Sequence, residues 1–283
     1  MQQRIAAARA ASAPSKVAYP IGIRALRVLR RERLSAGLVR LVLGGEELSG
    51  FQSHVPEEHV RLLFPDPGGG LRLPVPEGDA LRWPRPLPTS REYTVRHHDP
   101  VAGELHVDLA VHPGGLASGW ALRVEPGARV HVAGPPGGLV LPDRYEHHLF
   151  AGDLSAQPQI ARHLQALPAH ARGWALVEVA DAAEEVPMPA PAGVEVRWVH
   201  RGGAPAGTGT ALADAVRAVP LPAGGPTLVW VAGEAGAVKP LRRRLRHDAG
   251  PGAVDHLVTG YWKRGVADHD PEHDESDETT DEA

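Results

Sequence analysis

The 283-residue sequence contains no cysteine. That absence removes disulfides, thiolate nucleophiles, cysteine-held zinc and cysteine-held iron–sulfur clusters from the chemistry its own side chains can perform. Any electron transfer must borrow a cofactor. Aromatic residues are scarce too, at 5%, and the Lys and Arg are scattered, which argues against a nucleic-acid surface. No run approaches the roughly 18 apolar residues of a membrane-spanning helix. The stretch 1–15 is Ala-rich but broken by Arg4 and Arg9, so it lacks the apolar core of a secretory signal. A cytoplasmic chain without membrane insertion is expected. Also missing are a Gly-x-Gly-x-x-Gly after the first strand of the second half, a Gly-x-Ser-x-Gly and a His-Glu-x-x-His. A standard Rossmann fingerprint and the best-known hydrolase signals therefore have no support.

What is present fits a folded body with one biased end. Hydrophobic residues make up 42% and charged residues 23%, enough apolar surface to offset chain entropy. The length exceeds what one core fills, so two domains are expected. The net charge of -4 hides an asymmetry, because 268–282 holds nine Asp or Glu and no Lys or Arg. Taking those nine from 34 acids leaves 25 against 30 Lys and Arg, a body near +5 that suits anionic ligands such as nucleotides. The tail 267–283 has too few apolar residues to fold. His269 and His273 sit there among acids, and the reading is a solvated acidic tail rather than a metal site.

Short β-rich segments at 21–29, 38–43, 59–64, 92–96, 104–111 and 129–133 are separated by turn residues and predict a small antiparallel barrel or sandwich. Pro and Gly make 66–89 a long loop. After Pro142 the period changes. Strands at 148–152, 174–179, 194–199, 227–232 and 254–262, with helices at 156–166, 210–219 and 237–247, predict an α/β domain with a mainly parallel sheet.

Within this plan, Arg91-Glu92-Tyr93-Thr94-Val95-Arg96 stands on a strand, where Arg91, Tyr93 and Val95 share one face and Thr94 and Arg96 the other. A flavin needs an aromatic platform, a hydrogen-bonding group and cations for its diphosphate, and this segment has all three. An ordinary edge strand uses the same residues, and the hexapeptide alone leaves both readings open. The run His112-Pro113-Gly114-Gly115-Leu116-Ala117-Ser118-Gly119-Trp120 predicts a Gly-rich turn leading into a helix whose start faces an anion, or simply turn chemistry. The pairs His97-His98 and His147-His148 point to opposite faces of a strand, so they suit no common metal ion.

The order of the segments is more specific than any one of them. Arg91 to Arg96, Glu104 to His112, Gly114 to Trp120, Pro126-Gly127 and Gly134 to Gly138 are followed by Gly152 to Pro158, Gly233-Glu234-Ala235 and Gly260 to Gly265. In this order the chain resembles, from about Tyr19 to Gly265, the siderophore-interacting protein family of flavoprotein ferric-siderophore reductases. The resemblance implies an N-terminal antiparallel β-barrel FAD domain followed by a C-terminal α/β nucleotide-binding domain, built like ferredoxin-NADP reductases. The divisions are 1–18 as an N-terminal extension, 19–142 for FAD, 143–266 for NAD(P)H and 267–283 as a disordered tail. It also implies the site residues. Arg91, Tyr93, Thr94, Val95 and Arg96 hold FAD, with Tyr93 on the ring and Thr94 near N5, and Asp108 belongs to the same site. His112, Gly114, Ala117 and Ser118 lie along the diphosphate, while Asp153, Ser155 and Ala156 close over the adenosine. Leu154 departs from the family, which commonly has an acid there, and this touches the adenosine contact.

Gly233 and Glu234 sit where an open sheet receives a nucleotide. Lys239, Arg242 and Arg243 beyond them suit a 2′-phosphate and so NADPH over NADH, or are merely a solvated face. Lys263 and Arg264, backed by Arg61 and Arg24, are the candidate cations for an anionic ferric siderophore. No side chain is expected to act as catalytic acid or base, and a monomer is the expected state. The expected function is reductive iron release from ferric siderophores with FAD and NAD(P)H. The alternatives are a ferredoxin-driven reductase, a siderophore-binding flavoprotein without turnover, and a general flavin reductase.

Overall fold

The structure, a computed structural model, describes residues 1–222, 225–248 and 254–269. The acidic tail from 270 onward and the side chain of Arg243 lie outside the described residues. Two compact units divide the chain, Met1–Asp143 and Arg144–Ala283.

The first unit runs α1 (Gln2–Arg9), β1 (Ser15–Ala18), β2 (Ile23–Arg33), β3 (Leu38–Gly44), β4 (Glu57–Leu63), β5 (Val75–Glu77), β6 (Ala80–Arg82), β7 (Ser90–Thr94), β8 (His97–Asp99), β9 (Glu104–Ala110), α2 (Leu116–Ala121), β10 (Arg129–Ala133) and β11 (Gly137–Val140). Six of these are the strands read from the sequence. They pair antiparallel in the order β7-β4-β10-β2-β3-β9. Just past β7, the Arg96 N–H donates to the His106 carbonyl on β9 at 2.9 Å. That bond joins the two ends and closes the barrel, so neither end is left as an open edge. Inward side chains such as Leu26, Leu41, Leu62, Leu105, Leu109 and Val132 fill the interior.

Two details depart from the sequence reading. Residues 1–18, set apart as an extension, carry a helix and a strand of this unit. Ile5 and Ala8 of α1 pack on Val17, Val55 and Val140, and β1 pairs with β11. Two buried positions in an Ala- and Arg-rich stretch leave little periodicity to read. The loop 66–89 contains a small hairpin, Val75↔Arg82 to Glu77↔Ala80. Pro76 disguised it, since proline is tolerated only at a strand edge.

The second unit runs β12 (His147–Asp153), α3 (Gln157–Ala166), β13 (Arg172–Val179), β14 (Gly193–His200), α4 (Ala211–Ala218), β15 (Thr227–Glu234), α5 (Ala235–Asp248) and β16 (Val254–Trp262). All strands are parallel, in the order β14-β13-β12-β15-β16. A sheet buried on both faces needs continuous apolar strands, and β15 is buried along its whole length. Leu149, Ala151, Val229 and Val231 pack with α4 and α5. On the other face Phe150 stacks on His163 of α3 at 4.9 Å, with Trp230 beside it. Strand order reverses between β12 and β15, so their C-terminal ends form the switch point at which open α/β sheets take ligands.

Candidate functional site

In the barrel, the expected cofactor residues gather at the end of β7. Tyr93 pairs with Val60 and Arg91 with Leu62, and paired residues share a face. Arg91 and Tyr93 therefore stand on the core side. Tyr93 is half-buried against the barrel core, and burial pushes its phenol ionisation up, so the ring is a neutral platform. Arg91 is half-buried and donates Nη1 to the Ser90 carbonyl at 2.6 Å. Thr94 is buried on the opposite face across from His59. Val95 is a core side chain with its N–H committed to the Glu58 carbonyl at 2.9 Å.

Asp108 is buried behind this strand and pairs with Arg40 at 2.7 Å and with Arg96 at 3.8 Å. Arg61, offered as a substrate cation, is tied into its own sheet. It meets Glu92 at 2.6 Å and the Ser90 hydroxyl at 3.2 Å. Arg24 likewise turns back onto the barrel, against the Phe51 ring and the Gly134 and Gly50 carbonyls.

The Gly-rich turn is held by Ser118, whose hydroxyl donates to the Ala110 carbonyl and accepts the His112 N–H, each at 3.2 Å. A Cβ at Gly115 would stand 2.4 Å from the His112 ring and 2.9 Å from the Ser118 hydroxyl, so a larger residue there would displace that ring. Gly114, with φ +76°, has open space beside it. Trp120 anchors α2 edge-on to Phe64 at 5.4 Å, and Ala117 is buried beneath. The helix has only six residues, so its dipole adds little, and the donors here are the turn's own amides and the exposed His112. A neutral aromatic platform, a buried hydroxyl, two guanidinium groups and an open glycine turn suit the ring and diphosphate of FAD.

In the second unit, one carboxylate ties the strand ends together. Asp153 ends β12. Its Oδ1 accepts the Ser155 N–H at 2.9 Å and the Ser155 hydroxyl at 2.5 Å, while Oδ2 accepts the Glu234 N–H at 3.0 Å and Trp262 Nε1 at 2.7 Å. Gly233, with φ +155°, lets β15 pass this close, since a Cβ there would stand 2.8 Å from Asp153 Oδ2. Ala156 is fully buried at the start of α3. Glu234 is buried and accepts the N–H of Ala237, in the first turn of α5, at 2.8 Å, and that of Arg264 at 3.1 Å. Glu178, at the end of β13, is pushed up by burial and by the Asp153 charge.

Asp153, Ser155, Gly233 and Glu234 thus come together, as an acidic and internally satisfied corner. An anion at the start of α5 would meet the Glu234 carboxylate. Lys239 is exposed, and Arg242 donates to the Val258 carbonyl. Lys263 and Arg264 are exposed in the turn after β16. Sequence reasoning missed Arg40, Glu178 and the Trp262 anchor. Only cross-strand register brings them to the site.

The barrel over residues 27–139 matches the family described as "Siderophore-interacting FAD-binding domain", so the first unit is a flavin-binding domain. Residues 145–265 match "Siderophore-interacting protein", and the chain belongs to the siderophore-interacting protein family. It is 35% identical to the ferric vibriobactin reductase of Vibrio cholerae, over 87% of this chain and 90% of that one. It is 37% identical to the NADPH-dependent ferric-chelate reductase of Escherichia coli, over 82% and 90%. A siderophore utilization protein from T. fusca superposes with a TM-score of 0.85 at 39% identity, over 92% and 99%.

Proposed function

We propose that this protein is an FAD-dependent ferric-siderophore reductase driven by NADPH and working in the cytoplasm as a monomer. The observation that carries the reading is the flavin-suited end of β7 in a chain whose relatives at 35% and 37% identity are named ferric reductases. Bound FAD would take a hydride from the nicotinamide and give its electrons singly to Fe(III). The chain's own residues bind and orient. Arg91 and Arg96 neutralise the diphosphate, Tyr93 supports the ring, and the Gly114-Gly115 turn admits the phosphates to backbone amides. Fe(II) is less charged than Fe(III), so hard oxygen chelators release it more readily. The test is anaerobic mixing of the purified yellow protein with NADPH and a ferric siderophore under ferrozine trapping. Fe(II) should appear, and a colourless protein that stays colourless with added FAD would sink the reading.

Two expected outcomes bear on the parts. Arg96→Ala should weaken FAD binding about tenfold or more, the scale of a lost charge-assisted contact, as read by flavin retained through gel filtration. Lys263→Ala with Arg264→Ala should raise the KM for an anionic ferric siderophore several-fold at low salt with flavin content unchanged. An unchanged KM discards those two cations.

The Glu234 carboxylate on the first turn of α5 favours a second reading for the donor, a ferredoxin rather than a nucleotide. Stopped-flow bleaching of the flavin by NADPH decides between them, because only direct hydride transfer bleaches it without a protein donor.

A further inference from the structure

Three strands of the second unit carry a buried carboxylate at or next to their C-terminal ends: Asp153 on β12, Glu178 on β13 and Glu234 on β15. Each is turned onto a nearby backbone amide. Asp153 accepts the Ser155 N–H, Glu178 accepts that of Leu212 in the first turn of α4, and Glu234 Oε2 accepts that of Ala237 in the first turn of α5 at 2.8 Å. Helix starts at this rim of an open α/β sheet ordinarily receive a phosphate, because their amides lack partners within the helix and the dipole is positive there. At α5 that position is filled from inside the protein.

The surroundings of Glu234 fix it in this pose. Its second oxygen accepts the Arg264 N–H at 3.1 Å, so both oxygens have a donor. Gly207, with φ +71°, brings the loop between β14 and α4 onto the side chain, since a Cβ there would stand 2.5 Å from Glu234 Cγ and 3.1 Å from the Trp262 ring. On the other side a Cβ at Gly236 would stand 3.1 Å from Oε2, so glycine leaves room for the carboxylate to fold back onto the helix. Capping alone does not call for a glutamate, because Ser or Thr at this position reaches the same amide without a charge. We propose that Glu234 is a specificity-determining gate of the nucleotide site: its carboxylate occupies the anion position at the start of α5, so a dinucleotide phosphate enters only by displacing it, and nucleotide affinity is kept low. The proposal rests on the reading that NADPH is the electron donor.

The test is calorimetric titration of the full-length, FAD-loaded protein with NADP+, which has no hydride to give, and with adenosine as a probe without phosphate. Glu234→Gln and Glu234→Ser should lower the NADP+ Kd about tenfold or more, the scale of removing one like charge from a phosphate contact. The adenosine Kd should not change. Glu195→Gln, which neutralises an exposed acid near the other end of its strand, should leave the NADP+ Kd within about threefold of the wild type. A merely structural cap predicts weaker or unchanged binding on its loss, so neutral variants that bind NADP+ no tighter overturn the proposal. An equal gain for adenosine, or in Glu195→Gln, also overturns it, because position and phosphate would then be irrelevant. A wild-type NADP+ Kd below about 1 μM does the same, and that arm decides the matter where neither neutral variant folds. Mixing with NADPH separates the two layers. If NADPH bleaches the wild-type flavin while the neutral variants bind NADP+ no tighter, only the gate fails; if it bleaches none of the proteins and NADP+ binds none, the donor reading fails and the gate with it.

Discussion

Asp153→Asn should lower the stability of the second unit by about 3 kcal/mol, although it changes a single atom. Each carboxylate oxygen accepts two donors, from Ser155 on one side and from the Glu234 N–H and Trp262 Nε1 on the other. An amide has one accepting oxygen and one donating nitrogen, so whichever way it turns, two donors face another donor. A buried donor left without an acceptor costs roughly 1–3 kcal/mol, and two of them give the quoted figure. For a unit of this size the melting temperature should fall by about 10 °C. Asp153→Ala should do at least as much harm, because it leaves all four donors unmet. A shift under about 2 °C in Asp153→Asn would show that the corner is held by packing instead.

The second large effect is a pH dependence from one buried imidazole. His148 lies between Tyr145 and Phe150 in the layer under α3, and burial pushes its ionisation down to about 4, with His163 and His147 adding repulsion. An unfolded histidine titrates near about 6.5. As pH falls, the unfolded chain therefore takes up the proton first. The stability contribution of neutral His148 is fully present above about pH 6.5 and is lost progressively as pH drops towards about 4. Over that window it amounts to about 3 kcal/mol, of which about 2 kcal/mol is gone by about pH 5. The urea midpoint of the second unit should thus fall by roughly 1 M between pH 7.5 and 5. His148→Phe, which keeps the ring stack, should flatten the profile. A wild-type midpoint that does not move across this range would refute the assignment.

How far the sequence carried these conclusions depended on the range of the interaction. The six barrel strands and the α/β alternation after Pro142 were legible because period-2 and period-3.6 patterns are local. The flavin-suited strand from Arg91 to Arg96 was legible as a set of side-chain types, and the faces of Arg91 and Tyr93 follow from alternation alone. Val95 shares that face and is enclosed in the core, which no hexapeptide can reveal. The Glu234 carboxylate was read as part of a nucleotide seat. It also caps α5 from within, because its partners Ala237 and Arg264 are brought together only by the fold. Arg61 looked like an available cation until Glu92 and Ser90 appeared beside it. Arg40 escaped notice because its meaning lies in register with a strand 68 residues away.

The closing bond of the barrel has a consequence for the lifetime of the protein. The amide of Arg96 seals the seam, and the proposed role of the same residue's side chain is to meet the cofactor, so whatever steadies one would steady the other. Flavin binding should slow hydrogen exchange at that amide and blunt proteolysis nearby, since a ligand that binds only the closed form suppresses opening in proportion to its occupancy. The flavin-free form would be degraded first. Cells short of riboflavin would then lose this reductase by attrition as well as by lack of cofactor.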